Sequence, residues 1–409
     1  MRFLVLITAS FLVACGEPAG SPDGSVDGSV DGSVDASVQM FNDAGTDAGI
    51  MDAGTPDAGT SSDAGVVTTV LRVKYPAGTR SVSARGSKPP FNWNTGLAMT
   101  KVDAETWTLT VTTLGEDLEW KPLLDDSIWS KGPNYNGRRG EVNEIAPHFF
   151  RDNGEWTRRW PNFTSTILNN TRGVYVYLPP TYLENTAARL PVVYMHDGQN
   201  LFDPNAAFGG VTWGVAQTID SAAGDGRFRE AIVIGPENAG SDRIAEYTPT
   251  ADPSYGGGNG DAYLRMLIEE LKPRVDSELR TLTGRENTVL IGSSLGGLIS
   301  SYAGVRKADT FGFIGAMSPS VWWDNRVLLT IVATTGATRP IRVYVDSGDS
   351  GNSNDGVNDT RDLAAAYRTL GYVDGSTLKH VVQPGATHTE SAWASRLPGA
   401  LEFLLGRGR

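Results

Sequence analysis

Cysteine is almost missing from this 409-residue chain, with Cys15 the only one. That excludes an internal disulfide and any cysteine-rich metal site. Histidine is nearly as scarce: His148, His196, His380 and His388 are all there is. Any chemistry that needs an imidazole therefore has few places to find one. A basic surplus is also lacking. The formal charge is −12, but the stretch 16–65 alone holds ten acidic residues and no Lys or Arg. With that stretch and Arg2 set aside, 34 basic and 37 acidic groups remain in 66–409. This near-neutral balance gives no basic patch for nucleic acid. The apolar stretch Met1–Cys15 is too short to be a transmembrane helix.

What that stretch does offer is a basic residue, an apolar core and small residues at its end, the pattern of a secretory signal. Leu12-Val13-Ala14-Cys15 resembles a bacterial lipobox. The resemblance implies cleavage before Cys15, lipidation of its sulfur, and a secreted chain anchored to a bacterial membrane, the outer one by the residue that follows. Residues 16–65 then repeat Gly-Ser-Val-Asp and Asp-Ala-Gly. Their few large apolar side chains cannot offset chain entropy, so a flexible acidic tether is expected. The regular Asp spacing also admits a calcium repeat, although no packed repeat accompanies it.

From Val66 to about Phe150 the pattern becomes short and alternating: 69–73, 81–85, 106–111 and 118–123, with turn residues between. A small antiparallel β-sandwich is expected. The segment resembles starch-binding-type carbohydrate-binding modules, in which aromatics near Trp129 and Trp93, with an Asn like Asn134, contact sugar. Core packing, or bracing of the next domain, is the competing role for these tryptophans. Residues 151–171 read as a polar connector, and a second domain is placed over 160–409.

From Arg172 strands and helices alternate. Strands are expected at 173–178, 191–195, 231–235, 289–291, 313–317, 341–345 and 378–382, and helices at 261–279, 359–370 and 391–405. That alternation implies a mostly parallel sheet covered on both faces, an α/β architecture. Within it, Gly292-Ser293-Ser294-Leu295-Gly296 has the Gly-x-Ser-x-Gly form of a nucleophile elbow, a tight strand-to-helix turn with Ser294 at its apex. The turn aims the backbone N–H of Leu295 at any oxygen bound there.

A serine nucleophile needs a base and an acid, in the order Ser, acid, His for this architecture. His388 lies in a loop between the last strand and the last helix and fits the base; His380 lies within a strand, and His196 precedes Ser294. Asp346, Asp349 and Asp355 compete for the acid, and Asp355, shortly before a helix, is chosen. A second oxyanion donor is expected from the loop after strand 191–195, at the N–H of Gln199 beside Gly198.

Four segments, VVYMHDGQNLFD, AIVIGPENAGSDRIAEYTP, IGSSLGGLISSYAGVRKADTFGFIGAMSPSVWW and VVQPGATHTESAWASRLPGALEFLL, resemble the esterase family that contains enterochelin esterases, feruloyl esterases and mycolyltransferases. The resemblance covers nearly all of 172–409 and implies an α/β-hydrolase fold. It implies Ser294 as nucleophile, His388 as base, and Leu295 and Gln199 as backbone donors. Arg243, Trp213 and Trp322 are expected to border the pocket. No metal or organic cofactor is required. A small-molecule or glycan ester is the implied substrate, with acyl transfer as an alternative to hydrolysis, and the oligomeric state stays open.

Overall fold

The computed structural model describes residues 67–351 and 353–406. Cys15 and the acidic stretch 16–65 lie outside the described residues.

Strands over 69–145 form two small sheets. One orders 100–101, 106–111, 69–74 and 142–145; the other contains 97–98, 82–86, 118–124 and 128–129, with 135–137 also paired to 118–124. One pair departs from the expected antiparallel pattern, since Thr69–Lys74 runs parallel to Val142–Ile145. Alternate residues of Thr69–Lys74 are buried, as a half-covered strand requires. Leu71 and Val73 join Val82, Ala84, Trp107 and Trp120 in one apolar core.

The rest of the chain builds an eight-stranded sheet. Its strands in chain order are β1 (Glu155–Ser165), β2 (Asn170–Leu178), β3 (Val192–Met195), β4 (Ile232–Pro236), β5 (Thr288–Ser293), β6 (Phe313–Met317), β7 (Arg342–Gly348) and β8 (Leu378–Gln383). Their spatial order is β1-β2-β4-β3-β5-β6-β7-β8. The pairs from β4 to β8 are parallel, and β1-β2 and β2-β4 are antiparallel. This is the α/β-hydrolase arrangement. β1 occupies much of the stretch read as a connector. Only Trp160, Phe163 and Ser165 of its eleven residues are buried. Pro161 sits where the pairing register slips, as an edge strand allows.

The central strands are buried on both faces, so adjacent side chains serve different cores. Val192, Tyr194 and Leu290 face one core together with Leu298, Tyr302, Leu328 and Leu363. Val193, Met195 and Ile291 face the other, with Trp393, Leu397 and Leu401. The first core is covered by a helical stretch over 260–278 and by α1 (Leu295–Arg306), α2 (Trp323–Ala333) and α3 (Val357–Thr369); the second by α4 (Glu390–Leu405). Register aligns Ser293 with Met317, Met317 with Asp346, and Asp346 with Val381. The carboxyl ends of these four neighbouring strands therefore lie along one edge, β7 and β8 running two residues further, where ligands bind in open α/β sheets.

Candidate active site

Ser294 stands between β5 and α1 at φ 56°, ψ −122°. A non-glycine residue there stores about 1–3 kcal/mol of strain. Packing enforces the turn. A Cβ on Gly292 would lie 2.6 Å from His196 Cδ2 and 3.0 Å from the Gly296 carbonyl carbon, so only glycine fits. Ser294 donates its N–H to Met317 O at 3.0 Å, and its carbonyl accepts from the Ser320 N–H at 3.0 Å. Its hydroxyl hydrogen-bonds Ser320 Oγ at 3.3 Å rather than an imidazole. Leu295 opens α1, so its N–H has no partner within the helix and lies at the positive end of the dipole.

His388 and Asp355 meet directly: His388 Nδ1 lies 2.6 Å from Asp355 Oδ1. The Asp355 side chain is fully buried while the imidazole is 42% exposed. Asp355 Oδ2 accepts from the Ser318 hydroxyl at 2.7 Å and the Gly348 N–H at 2.5 Å. Ser318 has no freedom to reverse that bond. Its oxygen already accepts from Trp393 Nε1 at 3.0 Å and Arg396 Nη2 at 2.9 Å, so its one proton goes to Asp355. Burial alone would raise the Asp355 carboxyl. The bonds from His388, Gly348 and Ser318 together outweigh it and hold the group below the usual carboxylate range. An ionised Asp355 fixes the proton on Nδ1 and leaves Nε2 as the free basic nitrogen. The ring also packs edge-on against Trp393, centroids 4.9 Å apart. Met317 and Ser320, both bonded to Ser294, flank Ser318, so one short segment after β6 ties the serine to the acid–imidazole pair.

Gln199 lies in a single 3-10 turn, Gly198–Asn200, entered through Asp197 at φ 55°. A Cβ on Gly198 would fall 2.0 Å from Gly235 O, which is why glycine stands there. The Gln199 side chain accepts from the Asn238 N–H at 3.2 Å, while its own N–H belongs to the first turn and has no partner within it. Asp197 is held by both arms of Arg243, at 2.7 and 2.8 Å, and by Asn238 Nδ2 at 2.7 Å. Burial would raise its carboxyl, but Arg243 and Asn238 outweigh that and lower it. Arg243 thus braces the loop that carries Gln199.

The other expected residues separate. Trp322 is exposed and meets the exposed Tyr255 edge-on at 5.7 Å, two residues from Ser320. Trp213 is buried against Trp393 at 5.9 Å, in the core under α4, and offers no open face. Trp93 and Trp129 are partly exposed neighbours on the smaller sheets, centroids 6.2 Å apart, with Arg85 over Trp129. Asp349 accepts from the Gly385 N–H at 2.7 Å, a contact between the loops after β7 and β8. Asp346 is buried near the end of β7 and pairs with Arg396 rather than bonding the imidazole. His196 bonds Tyr263 OH at 2.8 Å and Ser300 Oγ at 3.1 Å, and burial pushes it down to about 3. His380 lies within β8 near Thr360, and His148 bonds Thr181 Oγ1. Sequence reasoning passed over Ser318, Ser320, Trp393 and Arg396. The Ser-Pro-Ser that follows β6 was a signal for the first two, because a strand end level with the elbow faces the same crevice.

Residues 165–404 match the family model described as Putative esterase. The chain belongs to that family. It is a carboxylic ester hydrolase with an α/β-hydrolase fold. This esterase is 28% identical over 248 residues to the uncharacterized protein YbbA of Bacillus subtilis, covering 57% of this chain and 92% of that one. It is 30% identical over 160 residues to the iron(III) salmochelin esterase of Escherichia coli, covering 38% and 34%. It is 27% identical over 203 residues to the ferri-bacillibactin esterase BesA of B. subtilis, covering 44% and 67%. Among solved structures, a ferulic acid esterase superposes with a TM-score of 0.49 at 20% identity, covering 62% of this chain and 98% of that one. The enterobactin esterase FES from Shigella flexneri superposes with a TM-score of 0.45 at 15% identity, covering 82% and 92%.

Proposed function

We propose that the esterase works through Ser294, His388 and Asp355 by way of an acyl-enzyme. The observation that carries this is the 2.6 Å bond between His388 Nδ1 and a fully buried Asp355, tied through Ser318 to the segment that grips Ser294. In the reaction His388 Nε2 takes the hydroxyl proton as Ser294 Oγ attacks the ester carbonyl. The N–H groups of Leu295 and Gln199 hold the oxyanion, each worth roughly 3–4 kcal/mol in the transition state. His388 then gives its proton to the leaving alkoxide, and water repeats the cycle against the acyl-enzyme. In the resting state the serine hydroxyl bonds Ser320, so a small rotation about its side chain precedes attack. Ser294→Ala should reduce hydrolysis of p-nitrophenyl esters to background while thermal melting stays unchanged. Undiminished turnover in that variant ends the reading.

The names of the curated relatives favour a siderophore ester, and those of the structural neighbours add feruloyl esters. The open aromatic pair Trp322 and Tyr255 beside Ser320 suits the ring of either. Assay of the full-length enzyme against ferric triscatecholate trilactone, methyl ferulate and an acetylated xylan separates the classes. A competing alcohol acceptor in the same assay separates hydrolysis from acyl transfer.

A second reading rests on Trp93 and Trp129, two partly exposed rings side by side. The smaller sheets would hold a glycan there, with the enzyme as its passenger. Retention of the full chain on insoluble starch or xylan, lost in Trp129→Ala, supports it; equal retention of both proteins removes it. Cys15 would anchor the whole to a membrane as a secreted lipoprotein. Metabolic labelling with a radioactive fatty acid, lost in Cys15→Ser, tests that.

A further inference from the structure

The ground beneath His388 holds more charge than one catalytic acid requires. Asp346 and Asp355 both have fully buried side chains, and a single guanidinium lies between them. Arg396, itself 4% exposed, places Nε 3.0 Å from Asp346 Oδ2 and Nη2 3.7 Å from Asp355 Oδ2. The first contact is an ion pair without an aligned hydrogen bond, and it leaves both of its atoms short of a hydrogen-bond partner. The other arm of Arg396 reaches Gln383 Oε1 at 3.2 Å, and Nη2 also donates to Ser318 Oγ at 2.9 Å. Ser318 joins the two acids, giving its N–H to Asp346 Oδ1 at 3.1 Å and its hydroxyl to Asp355 Oδ2 at 2.7 Å.

Once both acids are ionised, two carboxylates against one guanidinium leave a surplus negative charge in a poorly solvated place, where uncompensated charge is expensive. The imidazolium that forms at His388 during turnover can balance it, because the ring bonds Asp355 directly. Arg396 has the opposite effect. Its charge stabilises both carboxylates without help from the ring and keeps the two acids from sharing a proton, as closely placed carboxyls otherwise do. Among the described residues, further titratable groups face this cluster. Glu390 on α4, raised by burial, faces the imidazole, with the Asp197–Arg243 pair beyond it, and Tyr344 on β7 faces Asp346. Burial lifts Asp346 to about 6 in spite of Arg396, which marks it as the less well compensated of the two acids.

We propose that Asp346 and Arg396 are positioning residues that set the charge balance under His388 and Asp355, Asp346 favouring the protonated ring and Arg396 opposing it, and so fix the lower pH limit of ester hydrolysis. This rests on the Ser294–His388–Asp355 reading above. The test is the pH profile of kcat/KM for a p-nitrophenyl ester, measured on the full chain. Asp346→Asn should move the acidic limb to lower pH by roughly half a unit to one unit, the size of one partly screened charge. Arg396→Gln should move it to higher pH, Arg396→Lys should leave it close to the original, and the double variant D346N/R396Q should return toward it because the charge removed is balanced. Single variants that leave the limb in place, or displace it in the same direction, overturn the proposal. If Arg396→Gln does not fold, Asp346→Asn decides alone, and an unmoved limb is then fatal. Fluorophosphonate labelling and Ser294→Ala, run alongside, keep the two readings apart. An active Ser294→Ala refutes the nucleophile; an inactive one, with normal labelling of Asp346→Asn and an unmoved limb, refutes only the charge balance.

Discussion

At the scale of single residues, the loop after β7 places three aspartates in three kinds of contact. Asp355 meets the imidazole, Asp349 accepts from the Gly385 N–H of the loop after β8, and Asp346 sits against Arg396. Asp355→Asn should lower kcat by about 10³–10⁴-fold, because the amide no longer fixes the imidazole's tautomer. Asp349→Asn should stay within a few-fold of wild type; rates that fall equally in the two variants would mean the acid is misassigned. Gly292 offers a second test of the same kind. Gly292→Ala drives a methyl to 2.6 Å from His196 Cδ2, an overpacking that costs about 1–3 kcal/mol, with activity lost as the elbow shifts. Denaturant midpoints and active-site titration would expose an alanine that fits without cost.

At the scale of elements, one carboxylate fastens the smaller sheets to the larger one. Glu184, ending a short helix Pro180–Glu184, accepts the N–H groups of Phe149, Phe150 and Arg151 at 2.7, 2.8 and 2.9 Å and the hydroxyl of Tyr75 at 3.0 Å. Its neighbour Asn185 donates to Lys74 O and Pro147 O. Three consecutive amides on one charged acceptor form a rigid clasp rather than a free linker. Glu184→Ala should cost about 2–3 kcal/mol and open 146–154 to protease. Melting curves and a timed digest give the answer, and a variant as stable and resistant as wild type would show the clasp to be ornamental. The same scale explains why β1 escaped notice in the sequence. An edge strand with one buried side chain in several, broken by Pro161, carries no clean alternation to read.

For the molecule as a whole, pH dependence of stability has an identifiable source away from the active site. Glu230 is pushed up to about 7, by burial first, with Asp220 and Glu184 adding and the Thr181 contacts opposing. An unfolded glutamate titrates near 4.3. Between those two values the folded chain holds a proton the unfolded chain has released, so stability falls as pH rises through that window. Glu230→Gln removes the effect. Its melting temperature relative to wild type should climb from pH 5 to pH 8, whereas a constant difference would place the source elsewhere.

The sequence alone determined the layered α/β plan and the strand-to-helix turn at Ser294, and it singled out His388 as the candidate base among four histidines. These follow from apolar period, glycine spacing and chain order, all of which are local or ordinal properties. Four histidines and one Gly-x-Ser-x-Gly left little to arbitrate. Tertiary structure decided what depends on direction. Asp346 and Asp355 are both acids near the end of β7, yet only Asp355 Oδ1 points at the imidazole, because Ser318 and Gly348 hold its other oxygen. Trp213 and Trp322 are equally plausible as letters, but one is packed into a core and the other stands in the open. Arg396 reaches both acids because α4 lies across the ends of β6 and β7, a contact between distant segments that no spacing along the chain encodes.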